Sequence, residues 1–158
     1  MSTSDDPVER VRDLLEEVAD ALDLDADVEV ELRDGEIHGA LVGEDLGLFI
    51  GRHGQTIDAV QHLAFKAAGR GDDRSEPRAR VVIDAAGYRE RRAQVLHRQA
   101  DQAVGEALRS GRPAALDAMS ATERKVVHEY LSERGDVQTY SEGTEPDRHL
   151  VVAPSSAE

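Results

Sequence analysis

Apolar positions recur with two different periods along this chain of 158 residues, and each change of period marks a new element. Val8, Val11, Leu15, Val18 and Leu22 recur at helical spacing. They follow Asp6-Pro7-Val8-Glu9, where Asp6 can cap, Pro7 suits the first helical position and Glu9 completes a capping box. Val28-Glu29-Val30-Glu31-Leu32 then alternates strictly, as a half-buried strand does. Asp34-Gly35 is a two-residue hairpin turn, and Ile37, Gly39 and Leu41 answer on the returning strand. Counting outward from the turn sets Leu32 opposite Ile37, Val30 opposite Gly39 and Val28 opposite Leu41, all on one face. A short apolar turn (Leu46, Leu48, Phe49) leads to a second helical run with Ile57, Val60, Leu63, Ala64 and Ala67, ending near residue 68. Gly69-Arg70-Gly71-Asp72-Asp73, with Ser75 and Pro77, reads as a loop. Arg80-Val81-Val82-Ile83-Asp84 reads as a third strand.

The helical period returns at Gly87-Tyr88-Arg89-Glu90-Arg91-Arg92 and persists through Val95, Leu96, Ala100, Ala103, Val104, Ala107 and Leu108, until Gly111 and Pro113 end it. Ala114-Ala115-Leu116 reads as a short strand, and Ser120-Ala121-Thr122-Glu123 as a capping box opening a helix that turns Val126, Val127, Tyr130 and Leu131 inward. Val137-Gln138-Thr139-Tyr140 and Arg148-His149-Leu150-Val151-Val152 close the pattern as two strands. The expected class is α+β in two modules without internal repeats: 7–86 with the order αββααβ, and 87–152 with a small sheet packed on two helices. Residues 1–6 and 153–158 are expected to be disordered.

Composition narrows the chemistry. Aromatic content is 3% with no Trp, so the cores must be aliphatic. Zero Cys removes disulfides, thiol catalysis and thiolate metal sites and fits a reducing compartment. With no apolar run near membrane length and no signal peptide, the reading is a cytoplasmic protein without a membrane span. The six histidines (His38, His53, His62, His97, His128, His149) show no metal-site spacing, and no cofactor is implied. Walker, zinc-protease and nucleophile-elbow motifs are absent, so an enzyme is not expected. The net charge of −14 is unevenly placed. Residues 1–50 carry −13 and residues 135–158 carry −4, whereas residues 51–84 and 85–134 carry +1 and +2. Basic residues are 17 Arg against 2 Lys.

Two short constellations lie in that near-neutral middle. The first is Ile50-Gly51-Arg52-His53-Gly54-Gln55-Thr56, a helix, a tight glycine turn and a second helix. Gly51 and Gly54 let the backbone turn sharply and approach a ligand closely. The following helix begins with unpaired N–H groups that favour an anion. Arg52 and His53 sit at the tip, within reach of phosphate oxygens. A bare G-x-x-G arises by chance about once in a chain of this composition, so the flanking elements carry the reading. The second constellation is Glu123-Arg124-Lys125-Val126-Val127-His128-Glu129, where Arg124 and His128 lie four apart on one helix face with Lys125 alongside. Alone, it describes any solvated helix face.

Together with Gly87-Tyr88-Arg89-Glu90-Arg91-Arg92 and Thr139-Tyr140-Ser141-Glu142-Gly143, these stretches make the chain, over about residues 7–152, resemble the Jag family (SpoIIIJ-associated, KhpB-like). Members of this family join a bacterial type II K-homology (KH) domain to an R-three-H domain. The resemblance implies a non-enzymatic protein binding single-stranded RNA, a post-transcriptional regulator or RNA chaperone linked to envelope growth and division, and a small KH-only partner protein. Single-stranded DNA stays open beside RNA. A KH groove holds bases on an aliphatic floor while its glycine turn grips the backbone, so few aromatics are needed. The implied contacts are Gly51, Arg52, His53 and Gly54 in the first module and Arg124, Lys125 and His128, on an exposed face, in the second. Arg89, Arg91 and Arg92 either bridge the two or are solvated surface. Many members carry a further N-terminal domain and linker, which these residues do not include. A rival reading is a protein-interaction adaptor that recruits a basic partner through its acidic N-terminal third.

Overall fold

Asp6 accepts a hydrogen bond from the Val8 amide at 2.9 Å and starts α1 (Pro7–Ala21) where the cap residues place it. The computed structural model describes residues 5–69 and 78–156, so the expected loop through Arg70, Gly71, Asp72, Asp73, Ser75 and Pro77 lies outside the described residues. The chain divides into two units, Met1–Arg89 and Glu90–Glu158.

In the first unit α1 is followed by β1 (Ala26–Arg33), β2 (Glu36–Gly43), α2 (Gly47–Ile50), a 3-10 turn (Arg52–Gly54), α3 (Gln55–Ala68) and β3 (Val81–Ala85). This is the expected αββααβ order. The hairpin register is the one counted from Asp34-Gly35: Leu32 pairs with Ile37, Val30 with Gly39 and Val28 with Leu41. β3 adds parallel to β2, giving the sheet order β1-β2-β3. Parallel neighbours need a crossover, and here α2, the glycine turn and α3 supply it. Val11, Leu15, Ile37, Leu41, Phe49, Ile57 and Ile83 are essentially fully buried. Each stabilises the fold by about 1.5–3 kcal/mol relative to exposure. Arg10 reaches from α1 to the last carbonyls of α3, its Nε donating to Ala67 O (2.9 Å) and its Nη2 to Ala68 O (2.7 Å). A cation there complements the negative helix end.

The second unit holds most of α4 (Tyr88–Ser110), then β4 (Ala114–Ala115), α5 (Ala121–Leu131), β5 (Val137–Glu142) and β6 (His149–Pro154), with sheet order β4-β6-β5. Leu96, Ala100, Ala103, Val104 and Ala107 of α4 pack with Val127, Leu131, Val137, Leu150 and Val152 in one aliphatic core. The class is therefore mixed α+β, with a small sheet on two helices in this unit.

Several expectations need correction. The strand expected at 80–84 is Val81–Ala85. The tail is ordered beyond residue 153: Pro154 stands opposite Val137, and Ser155 N–H donates to Asp136 O at 2.9 Å. Leu32 is 63% exposed at the hairpin tip despite its apolar face. Tyr130, expected inward, is 40% exposed. It stacks on the His97 ring with centroids 4.0 Å apart, and its hydroxyl donates to Asp101. Ser120 Oγ accepts from the Glu123 amide at 3.2 Å, but the Glu123 carboxylate turns into the unit instead of closing the box.

Candidate nucleic-acid interface

The glycine turn is built by three departures from ordinary backbone. Gly51 ends α2 with φ 74°, ψ 176°, His53 is left-handed (φ 54°, ψ 26°), and Gly54 is left-handed at φ 76° as it starts α3. A Cβ on Gly51 would collide with Thr56 Oγ1 and lie 2.8 Å from the Thr56 amide nitrogen. A Cβ on Gly54 would lie 2.7 Å from the Tyr88 hydroxyl. Gly51 therefore requires glycine for space against the α3 backbone as well as for torsion, whereas a Cβ on Gly54 meets only the end of the Tyr88 side chain and the left-handed torsion is what favours glycine. The tip they form projects Arg52 and His53, both exposed.

α3 begins at Gly54 with no side-chain cap; the amide of its first residue, Gln55, donates to Arg52 O across the turn, and the positive end of the helix dipole still favours an anion there. The acidic residue of its first turn, Asp58, would oppose that anion, but it is paired. Arg89 Nη1 donates to Asp58 Oδ1 at 3.1 Å, while its Nη2 donates to Gln61 Oε1 (3.0 Å) and its Nε to Ile83 O (2.7 Å). Gln61 Oε1 also accepts from the Ile83 amide at 2.9 Å. Arg89 thus neutralises a carboxylate beside the turn and ties α3 to β3. The sequence marked it as a bridging or solvated residue, because nothing in its spacing reveals a partner on α3.

In the second unit the three candidate residues have different surroundings. Lys125 is exposed and pairs loosely with Glu129 at 3.7 Å. His128 is exposed, its Nδ1 lying 2.5 Å from Thr139 Oγ1 on β5. This contact orients the imidazole and leaves Nε2 for a ligand. Arg124 departs from the expected exposed face and is only 8% exposed. Its Nη1 donates to Met119 O at 2.6 Å and more distantly to Arg148 O at 3.5 Å. Its Nη2 donates to Glu145 Oε1 at 2.6 Å. Helical spacing places Arg124 beside His128, but the loop between β5 and β6 folds over it. Arg92 is likewise engaged: its Nε donates to Glu123 Oε1 at 2.6 Å. Glu123 is 6% exposed, and its Oε2 has no hydrogen-bond partner among the described residues.

Among the described residues no group of three or more metal-ligating side chains converges. No helix of the described residues is long and apolar enough to cross a membrane.

Residues 9–83 match the family described as KhpA/KhpB, KH domain, and residues 94–154 match the R-three-H domain. The chain is 34% identical over 143 residues to the RNA-binding protein KhpB of Clostridium symbiosum, a match covering 89% of this chain and 63% of that protein. It is 41% identical over 107 residues to the RNA-binding protein KhpB of Lactiplantibacillus plantarum, covering 68% and 32%. Against that of Bacillus subtilis it is 30% identical over 150 residues, covering 94% and 71%. The chain thus spans less than two thirds of the length of the first two relatives.

Proposed function

From the premise that the chain belongs to the KhpB (Jag) family, we propose that it binds single-stranded RNA through two separate contacts. The observation that carries this reading is the Gly51–Gly54 turn. A backbone with positive φ at both glycines, and with no room for a side chain at Gly51, presents exposed Arg52 and His53 at the start of a helix with no side-chain cap. Such a turn grips a sugar–phosphate backbone and leaves the bases to an adjoining aliphatic surface. His128 and Lys125 supply the second contact, on a phosphate or sugar, with Arg124 behind them. The role is that of a cytoplasmic post-transcriptional regulator or RNA chaperone acting in envelope growth and division, with a small KH-only protein as partner.

The test is fluorescence anisotropy of a short single-stranded RNA pool, with a DNA pool beside it, at low and physiological salt. Arg52→Asp/His53→Asp places two negative charges against the backbone and is expected to weaken binding at least tenfold, about 1.4 kcal/mol or more. Lys125→Ala/His128→Ala is expected to weaken it less and to flatten its salt dependence. Unchanged affinity in both folded variants would overturn the reading.

A second reading has an observation of its own. A shallow groove between the end of α1 and the start of α2 is lined by Asp23, Asp25, Asp27, Glu44 and Asp45 beside Val42 and Leu48, with no cation among its lining residues. Such a surface repels nucleic acid and suits a basic protein segment, the adaptor role. RNA affinity erased by moderate salt, with both double variants inert, would favour it.

A further inference from the structure

The buried setting of Arg124 poses a question that the second RNA contact must answer, since a guanidinium 8% exposed has little surface to offer a phosphate. Its solvent side is not covered by the core. One amino group is held by the Met119 carbonyl, and the other ends on the carboxylate of Glu145, whose own side chain is 60% exposed. Glu145 sits in the segment joining β5 and β6, which is also tied by Arg148 Nη1 donating to Gly143 O at 2.7 Å. The carboxylate is therefore the outermost layer over Arg124. It presents to Nη2 what a phosphate would present, a singly charged oxygen acceptor at charge-assisted hydrogen-bond distance.

We infer that Glu145 is a built-in competitor for the phosphate position on Arg124, and that RNA engages Arg124 only by displacing it. The inference rests on the RNA-binding reading above. The exchange replaces one anion by another, so Arg124 adds orientation to the contact but little net attraction. The second unit then discriminates against anions that cannot take both Arg124 and the neighbouring His128 and Lys125 at once. A neutral amide at position 145 removes the competitor, and Arg124 meets phosphate as an unneutralised cation.

The experiment measures RNA affinity of the full chain against salt for the wild type, Glu145→Gln, Glu142→Gln, Arg124→Lys and Arg124→Lys/Glu145→Gln, with circular dichroism to confirm folding. Glu142, the last residue of β5, is a similarly exposed carboxylate paired with His149 at 3.8 Å rather than with Arg124, so its variant changes net charge alike. Glu145→Gln is expected to tighten binding about fivefold, the scale of one partly exposed ion pair. It is also expected to steepen the slope of log K against log salt by about 0.7, one further phosphate neutralised on a single strand. Glu142→Gln should do neither. The Arg124→Lys background, which lacks the planar fork, should lose most of the gain. Equal gains from Glu142→Gln and Glu145→Gln, or a gain that survives intact in the Arg124→Lys background, would reduce the effect to net charge and overturn the inference. Wild-type binding that Glu145→Gln leaves unchanged also overturns it while sparing the RNA-binding reading. Absence of binding in every folded variant overturns both.

Discussion

Gly51 and Gly35 share a positive φ, 74° and 78°, but not their surroundings. Alanine at Gly35 meets nothing within 4 Å and bears only the torsional cost, about 1 kcal/mol. Alanine at Gly51, where ψ is 176° and essentially only glycine is found, bears a larger torsional cost and also collides with Thr56 at the first turn of α3, so its expected loss is about 3 kcal/mol. Urea unfolding of the two variants side by side checks the difference. Asp136 allows a titration test. The hydrogen bond from Arg134 holds its carboxyl below the usual carboxylate range. A depressed folded pKa gives a contribution that is present above the unfolded value and is lost as pH falls through the folded one. NMR titration should find the Asp136 carboxyl below the usual carboxylate range in the wild type and raised in Arg134→Gln. The two glycines were legible in the sequence because their spacing and flanking apolar residues constrain the backbone locally. The burial of Arg124 was not, because it depends on where residues 143–148 return, and helical spacing reports only the face a residue occupies.

At the scale of elements, two arginines at the start of α4 tie helices to their neighbours. Removing the Arg92 side chain strands the Glu123 carboxylate, already short of one partner, in the interior. Arg92→Ala is expected to cost about 3 kcal/mol, whereas the apolar pair Arg92→Met/Glu123→Leu should fall within about 1 kcal/mol of the wild type. Thermal unfolding of both, with Glu123→Leu alone as the third corner, reads this contrast directly. The hairpin register was legible because a two-residue turn fixes it and the alternation agrees with it. The partners of Arg89, Arg92 and Tyr130 were not, since each lies on a different element brought close only by packing. Glu123 shows how a local signal misleads: its spacing from Ser120 fits a capping box, but the buried pairing with Arg92 takes its carboxylate.

For the whole molecule the governing quantity is charge. Fourteen net negative charges oppose any polyanion at long range, and most sit in residues 1–50. Glu16, Glu17 and Asp20 are exposed on α1. Their neutralisation to Gln, Gln and Asn is expected to raise RNA association at low salt by about threefold and to leave affinity at physiological salt nearly unchanged, where the Debye length is about 8 Å. Stopped-flow association rates at two ionic strengths test this.

Tyr88 packs against Gly54 at the base of the turn, while Tyr130 and Tyr140 stand exposed in the second unit. The chain has no Trp and no other Tyr. Its near-ultraviolet emission therefore comes from three identified rings, and replacing residues 130 and 140 by Phe leaves one emitter, seated beneath the glycine turn. The chain thus carries its own optical reporter at that turn: an unlabelled RNA settling there changes the surroundings of a single ring.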